Sequence, residues 1–147
     1  MITVLLVDDH ETVRKGLKYL LETTDDIQVI ATAANGSEAV NCVDSFRPDV
    51  IVMDVSMPFM DGIEAAKQIR HRSPLARVIM LSVFVDREYV YRALQVGAKG
   101  YVLKDAMGQE LPEAIRTIHH GRYYFSQHIA VIAAKFLPPK GTGSWAA

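Results

Sequence analysis

The chain has 147 residues, of which 50% are hydrophobic, and a formal net charge of −1 at pH 7. This length suits one domain with a full hydrophobic core, and the lack of a basic excess argues against a nucleic-acid-binding surface. No apolar run approaches the length of a membrane span, and the single cysteine, Cys42, allows no internal disulfide, so we expect a cytoplasmic protein.

Short apolar runs, typical of buried parallel strands, alternate along the chain with longer amphipathic stretches. The predicted strands are Thr3–Val7, Gln28–Ala33, Val50–Met53, Arg77–Ser82 and Gly100–Leu103. An apolar helical face follows each strand, and these faces are marked in turn by Leu17, Val40, Ala66, Ala93 and Ile115. This alternation predicts an α/β fold, a doubly wound parallel sheet with helices on both faces and right-handed crossovers.

Local signals agree with these helices. Asp61 with Glu64 predicts a capping box, and Asp86 is a predicted N-cap. Gly97 and Gly121 fall where helix C-caps are expected, because glycine accepts the left-handed conformation that commonly ends a helix.

A sixth helix is predicted over residues 127–137, before Pro138 and Pro139. We therefore predict a domain over residues 1–125, a linker helix over 126–139 and a flexible or vector-derived tail over 140–147. The apolar face of the linker helix leaves two alternatives open, since it can pack on a neighbouring molecule or fold back on its own domain.

The carboxyl ends of the predicted strands deliver polar groups to one edge of the sheet, where open α/β sheets bind their ligands. The first strand ends at Asp8 and Asp9, the third at Asp54 and the fourth at Ser82, and the fifth leads to Lys104. Each residue alone is usually a helix cap, a turn residue or solvated surface. Their coincidence at one edge favours a functional site.

Three carboxylates at one edge repel each other unless a cation neutralises them, and a set of oxygen ligands suits Mg²⁺. Asp54 could then act as a nucleophile that carries a phosphoryl group. Lys104 and Ser82 would stabilise charge on the oxygens of that group. The sequence therefore predicts Mg²⁺-dependent phosphoryl transfer to Asp54.

Four segments resemble the receiver domain of two-component response regulators, and they read LLVDDH, DVIVMDVSMPFMDG, VIMLS and GAKGYVLKD. The resemblance implies a flavodoxin-like (βα)5 sheet with strand order 2-1-3-4-5, followed here by the C-terminal helix. It also implies a role for each acidic residue. Asp54 is the expected phosphoacceptor, Asp9 a direct Mg²⁺ ligand, Asp8 a ligand acting through water, and Ser56 the donor of a backbone carbonyl to the metal.

The resemblance extends to the residues that read out phosphorylation. It implies that Ser82 is the switch hydroxyl, Lys104 the lysine that pairs with the phosphoryl group, and Tyr101 the aromatic whose inward or outward rotamer reports phosphorylation. Val83 is bulkier than the small residue that many receivers carry after the switch hydroxyl. We hypothesise that Val83 narrows access to Asp54 and slows small phosphodonors.

Two further segments, GYVLKDA and HHGRYYFS, resemble the NarL/FixJ subtype, which joins a receiver to a LuxR-type DNA-binding half. Nothing after Pro139 could form that half, so we expect DNA binding only through a missing C-terminal domain. The chain is then a piece of a longer transcription regulator or a stand-alone receiver. The expected partners are a sensor histidine kinase and, after phosphorylation, a second copy of the chain.

A receiver is a signalling switch that phosphorylates and dephosphorylates itself, so we expect no turnover substrate and no enzyme in the usual sense. The rival interpretation is a phosphatase of the haloacid-dehalogenase kind, which also uses an aspartate after a strand. Those enzymes usually need a second aspartate two residues later, and this chain has Ser56 there.

Overall fold

The computed structural model describes residues 1–137 and contains a six-stranded sheet between two layers of helices. In chain order the elements are β1 (Ile2–Val7), α1 (Glu11–Glu22), β2 (Ile27–Ala33), α2 (Gly36–Phe46), β3 (Val50–Asp54), α3 (Gly62–Arg72), β4 (Arg77–Ser82), α4 (Arg87–Gln95), β5 (Gly100–Leu103), a 3₁₀ turn (Lys104–Ala106), α5 (Met107–His119), β6 (Tyr124–Phe125) and α6 (Gln127–Ala133). All five predicted strands are present, and none of their ends differs by more than one residue.

The strands run parallel in the order β2-β1-β3-β4-β5-β6, which confirms the predicted α/β class and the order 2-1-3-4-5. The sixth strand was not predicted. β6 pairs with β5 through Gly100 opposite Tyr124 and Tyr101 opposite Phe125. Two residues are too short to show the alternation by which a strand is found in a sequence.

The apolar side chains form two core clusters, one on each face of the sheet. Helices α2, α3, α4 and α6 cover one face and α1 with α5 covers the other. Strand β3 lies between both layers, and all five of its residues are buried, including Asp54. Each large apolar side chain buried in this way contributes about 1.5–3 kcal/mol, so the strand end that carries Asp54 is held firmly in place.

The predicted helix boundaries are largely confirmed. The Asp61 side chain accepts a hydrogen bond of 2.8 Å from the Glu64 amide and caps α3. Gly97 and Gly121 have positive φ angles of 92° and 87° directly after the C-caps of α4 and α5. Asp86 occupies the N-cap position of α4, but its side chain makes no capping hydrogen bond within the described residues.

The C-terminal helix is shorter than predicted, because α6 ends at Ala133 and not at residue 137. It folds back on its own domain beside α4, where the rings of Tyr91 and Phe136 lie 4.9 Å apart between centroids. This is one of the two alternatives left open by the sequence. Residues 138–147, with the predicted proline stop and tail, lie outside the described residues. Among the helices within residues 1–137, none has the length and apolar character to cross a membrane.

Candidate functional site

Three strand ends bring the predicted site residues together at one edge of the sheet. Asp8 follows β1, Asp54 ends β3, and Lys104 follows β5. The Lys104 ammonium nitrogen Nζ lies 2.9 Å from Asp54 Oδ2 and 3.5 Å from Asp8 Oδ2. Asp8 and Asp54 are each only 1% exposed, so the lysine pairs with two carboxylates that water scarcely reaches.

The backbone around Asp54 is fixed by close packing against the start of α3. A Cβ atom placed on Gly62 would lie 2.2 Å from the Asp54 carbonyl oxygen, so only glycine fits this contact. The Gly62 amide donates to the Val55 carbonyl at 2.8 Å, and the Ser56 amide donates to Asp54 Oδ1 at 3.1 Å. The Asp54 carboxylate is therefore oriented by its own loop. The metal-binding role of the Ser56 carbonyl stays a prediction.

The charges at this edge do not balance. Burial raises the pKa of Asp54, and the hydrogen bond and charge of Lys104 offset this only in part, while the charge of Asp8 adds to the rise. Burial opposes the charged form of Lys104, but its bonds and charge pairing with Asp54 and Asp8 outweigh this and raise the pKa of Lys104. The Lys104 ammonium contacts the carboxylates of Asp8 and Asp54, and the carboxylate of Asp9 lies close to both. This edge of the sheet therefore carries more negative than positive charge, which favours a further cation.

Asp9 provides the observation most specific to a metal. Its Oδ1 atom is buried and has no hydrogen-bond partner among residues 1–137. The His10 nitrogen Nδ1 lies 3.2 Å from that oxygen without forming a hydrogen bond to it. Ligand atoms of Asp8, Asp9, His10 and Asp54 lie within 4.8 Å of one another. A buried carboxylate oxygen that accepts no hydrogen bond, beside two buried carboxylates, fits a hard cation with oxygen ligands, such as Mg²⁺.

The two predicted switch residues, Ser82 and Tyr101, both hold the backbone of Phe84. Ser82 Oγ accepts a hydrogen bond of 2.9 Å from the Phe84 amide, and the Tyr101 hydroxyl donates one of 2.8 Å to the Phe84 carbonyl. Tyr101 is 1% exposed and points inward, and burial raises the pKa of Tyr101 to about 12. The Phe84 ring stacks on Tyr89 of α4 with centroids 4.2 Å apart, so Ser82 and Tyr101 are connected through Phe84 to α4.

Two residues near the site were not predicted. The His10 amide donates to Asp8 Oδ1 at 2.8 Å, and Arg14 Nη1 of α1 donates to the Asp8 carbonyl at 2.6 Å. Together they fix the turn from β1 into α1. His10 stands directly after the aspartate pair, which was a usable signal. Arg14 carried none, because a polar residue on an amphipathic helix is usually solvated.

Comparison with known proteins gives a consistent result. The family model described as the response regulator receiver domain matches residues 4–116. The uncharacterised transcriptional regulatory protein YhcZ of Bacillus subtilis is 44% identical over 126 residues, which cover 86% of this chain and 58% of that protein. The response regulator protein VraR of Staphylococcus aureus is 40% identical over 130 residues, which cover 88% and 62% respectively. The chain spans about three-fifths of the length of these curated relatives.

Solved structures agree. A LuxR-family two-component response regulator from Aurantimonas sp. SI85-9A1 has a TM-score of 0.86 and 36% identity, and the match covers 91% of this chain and 96% of that one. The signal receiver domain of the putative response regulator NarL from Mycobacterium tuberculosis has a TM-score of 0.78 and 33% identity, covering 82% and 98%. These matches confirm the predicted fold class and the predicted NarL/LuxR subtype.

Proposed function

Because the chain belongs to the receiver domain family of two-component response regulators, we propose that Asp54 accepts a phosphoryl group from a phosphohistidine of a partner sensor histidine kinase. The contact of Lys104 with the buried carboxylates of Asp54 and Asp8 carries this proposal. A carboxylate buried beside like charges is costly. That cost is understandable when the carboxylate is needed there as a nucleophile.

In the proposed step, an oxygen of Asp54 attacks the phosphorus atom in line with its bond to the histidine nitrogen. A P–O bond forms, the P–N bond breaks, and its electron pair returns to the imidazole of the kinase. Lys104, already 2.9 Å from Asp54 Oδ2, pairs with the oxygens of the arriving phosphoryl group. The Ser82 hydroxyl donates a hydrogen bond to the same oxygens.

The residues present fit a magnesium ion, and the buried Asp9 oxygen, which accepts no hydrogen bond among residues 1–137, is the main support for this assignment. Asp9, Asp54 and the Ser56 carbonyl would hold the ion directly and Asp8 through water, and the bound ion would neutralise charge on the phosphoryl oxygens. His10 keeps the Asp8 carboxylate oriented toward the site through its amide.

The proposed signal leaves the site through the loop between β4 and α4. When Ser82 turns toward the phosphoryl oxygens, its hydroxyl no longer accepts from the Phe84 amide. Of these two side-chain hydrogen bonds to the Phe84 backbone, the one from the Tyr101 hydroxyl remains. The stacking of the Phe84 ring on Tyr89 then transmits the change to α4. Phosphorylation thus shifts the population between two arrangements of this loop.

We further propose that the full-length regulator uses this shift to control transcription, since similar proteins include a transcriptional regulatory protein and a LuxR-family response regulator. DNA would be bound by a domain outside this chain. Water later attacks the phosphorus, inorganic phosphate leaves and the Asp54 carboxylate is regenerated, so no turnover substrate is needed. A cytoplasmic location and pairing of two phosphorylated copies stay predictions.

The proposal is tested by incubating the protein with Mg²⁺ and acetyl phosphate and measuring the intact mass. We expect one phosphoryl adduct that is stable in acid and lost in base. Asp54→Asn should abolish the adduct, and Asp25→Asn, which changes an exposed aspartate, should leave it intact. Absence of an adduct with every donor, or equal labelling of Asp54→Asn, would refute the proposal. Steady turnover of phosphate esters would instead favour the phosphatase.

A further inference from the structure

Ser126 lies at the junction of β6 and α6 and bonds to elements around the site. It is 3% exposed. Its Oγ atom accepts a hydrogen bond of 3.0 Å from the Leu103 amide and donates one of 2.9 Å to Glu110 Oε1. Its own amide donates to the Tyr101 carbonyl at 3.1 Å. The residue therefore contacts β5 through both its backbone and its side chain.

The use of this hydroxyl is unusual for its position. Ser126 is the N-cap of α6, where a serine side chain normally accepts from an amide of the first helical turn, which is worth about 1 kcal/mol. Here the side chain makes no capping hydrogen bond within the described residues. It bonds instead to Leu103, the last residue of β5 and the one directly before Lys104.

Glu110 of α5 completes the network. The Tyr124 hydroxyl donates to the same Glu110 oxygen at 3.1 Å. Burial and then the negative charge of Glu110 raise the pKa of Tyr124 to about 12. The backbone that leads into Lys104 is thus held by groups from β6, α5 and the start of α6.

The other end of the same segment packs near the switch. Ile129 and Ala133 of α6 are buried in the core cluster that also contains Tyr101. Phe136, just after α6, contacts Tyr91 of α4. Residues 124–136, which we call the extension, therefore contact β5 and α4, the two elements on either side of the proposed switch.

We propose that Ser126 is a positioning residue for Lys104 and that it makes the extension part of the phosphorylation site. Without the hydroxyl, the Leu103 amide loses its partner in a nearly dry place and Glu110 Oε1 keeps only its bond from Tyr124, so the backbone before Lys104 relaxes. The ammonium then spends less time beside Asp54. Because coupling between two sites is reciprocal, a change at Asp54 also alters the docking of α6. The inference rests on the proposed function.

The first test compares rates of acetyl phosphate labelling in Mg²⁺. Ser126→Ala and Glu110→Ala should each slow labelling about fivefold, the size expected for one lost hydrogen bond of this kind. The double variant should be no slower than either single one, because both changes break one network. Ser126→Thr keeps a hydroxyl and should restore most of the rate. Ser45→Ala, an exposed serine on α2, is the matched control and should label like the wild type.

A second arm separates positioning from general damage to the fold. In a Lys104→Ala background, Ser126→Ala should slow labelling no further, since the residue acts through the lysine. Equal slowing in both backgrounds, or a wild-type rate for Ser126→Ala, would overturn the inference. If Ser126→Ala fails to fold, Glu110→Ala replaces it. Its labelling rate is then compared with and without Lys104→Ala, and equal slowing in both backgrounds would again overturn the inference.

A third arm does not depend on phosphorylation. Crystal structures of the wild type and Ser126→Ala, both without phosphodonor, should differ in the distance from Lys104 Nζ to Asp54. If Lys104 keeps its 2.9 Å contact in the variant, the inference is wrong. If the wild type never labels but Lys104 moves in the variant, the proposed function fails and the positioning role of Ser126 stands.

Discussion

Replacing Gly62 with alanine should destabilise the protein and displace the phosphoacceptor at once. Gly62 begins α3 directly beneath the end of β3. An added Cβ atom would lie 2.2 Å from the Asp54 carbonyl oxygen and 2.9 Å from both its carbonyl carbon and Met53 Cγ. Two of these three atoms belong to the backbone, so the clash is not relieved by turning a side chain.

The expected cost follows from the displacement. The start of α3 must move by about 1 Å to reach ordinary van der Waals distance, and overpacking of this kind costs about 1–3 kcal/mol. The same movement stretches the 2.8 Å hydrogen bond from the Gly62 amide to the Val55 carbonyl, which adds about 1 kcal/mol. We therefore expect Gly62→Ala to lower the free energy of unfolding by about 2–4 kcal/mol.

Urea unfolding measures this value, and Gly16→Ala is the matched control. A Cβ atom on Gly16, inside α1, meets no atom within 4 Å, so this change should stabilise the protein by about 0.5–1 kcal/mol. Labelling of folded Gly62→Ala by acetyl phosphate should also fall at least about tenfold, because Asp54 moves with the strand end. A loss of less than about 0.5 kcal/mol for Gly62→Ala, with the control behaving as expected, would refute the reasoning.

Three further predictions concern the metal, the switch and access to the site. Removal of Mg²⁺ by EDTA should lower the free energy of unfolding of the wild type, measured with urea, by about 2.7 kcal/mol if the ion was present at a hundredfold excess over its Kd, and should leave Asp9→Asn unchanged. Tyr101→Phe should cost about 1–2 kcal/mol in urea unfolding by unpairing the Phe84 carbonyl. Because the pKa of Tyr101 rises from 10.0 to about 12, its stabilising contribution is complete below pH 10 and is lost as the pH rises through 12, so unfolding of the wild type and the variant should converge there. Val83→Ala should speed labelling by acetyl phosphate, and an unchanged rate would contradict the hypothesis that Val83 narrows access.

The sequence was sufficient for the first five strands, and β3, which is buried on both faces, shows why. The Val50–Asp54 strand has no exposed residue, so it reads as a continuous apolar run that closes on a carboxylate. The carboxyl ends of parallel strands share one edge, and this geometry alone predicted that Asp8, Asp54 and Lys104 would meet. In the structure, Lys104 contacts both carboxylates, so the three residues do meet.

The sequence could not separate the two neighbouring aspartates by their contacts. Asp8 accepts hydrogen bonds from His10 and Lys104, whereas one buried oxygen of Asp9 accepts none among residues 1–137. Such differences depend on side-chain rotamers and on the turn after β1, and neither leaves a periodic signal. The receiver resemblance did distinguish the two residues as a direct and a water-mediated ligand, and that distinction stays a prediction.

Ser126 shows a second reason why contacts could not be predicted from the sequence. From the sequence it marked only a boundary, and its hydroxyl was indistinguishable from that of an ordinary helix cap. Its bond to the Leu103 amide depends on β6, a strand of two residues that pairs with β5 across the length of α5. Contacts between short segments that lie far apart in the chain are where local patterns carry least information.

Strand β6 has one more consequence, which concerns aggregation. Its neighbour β5 reads Gly-Tyr-Val-Leu, a short, uncharged and largely apolar segment of the kind that pairs readily with other chains when its edge is open. The amides of Tyr124 and Ser126 occupy the Lys99 and Tyr101 carbonyls, and the Ser126 hydroxyl occupies the Leu103 amide. The serine that we propose to position Lys104 also closes this edge, so a receiver that lost the extension would gain a surface on which strands of other molecules can add.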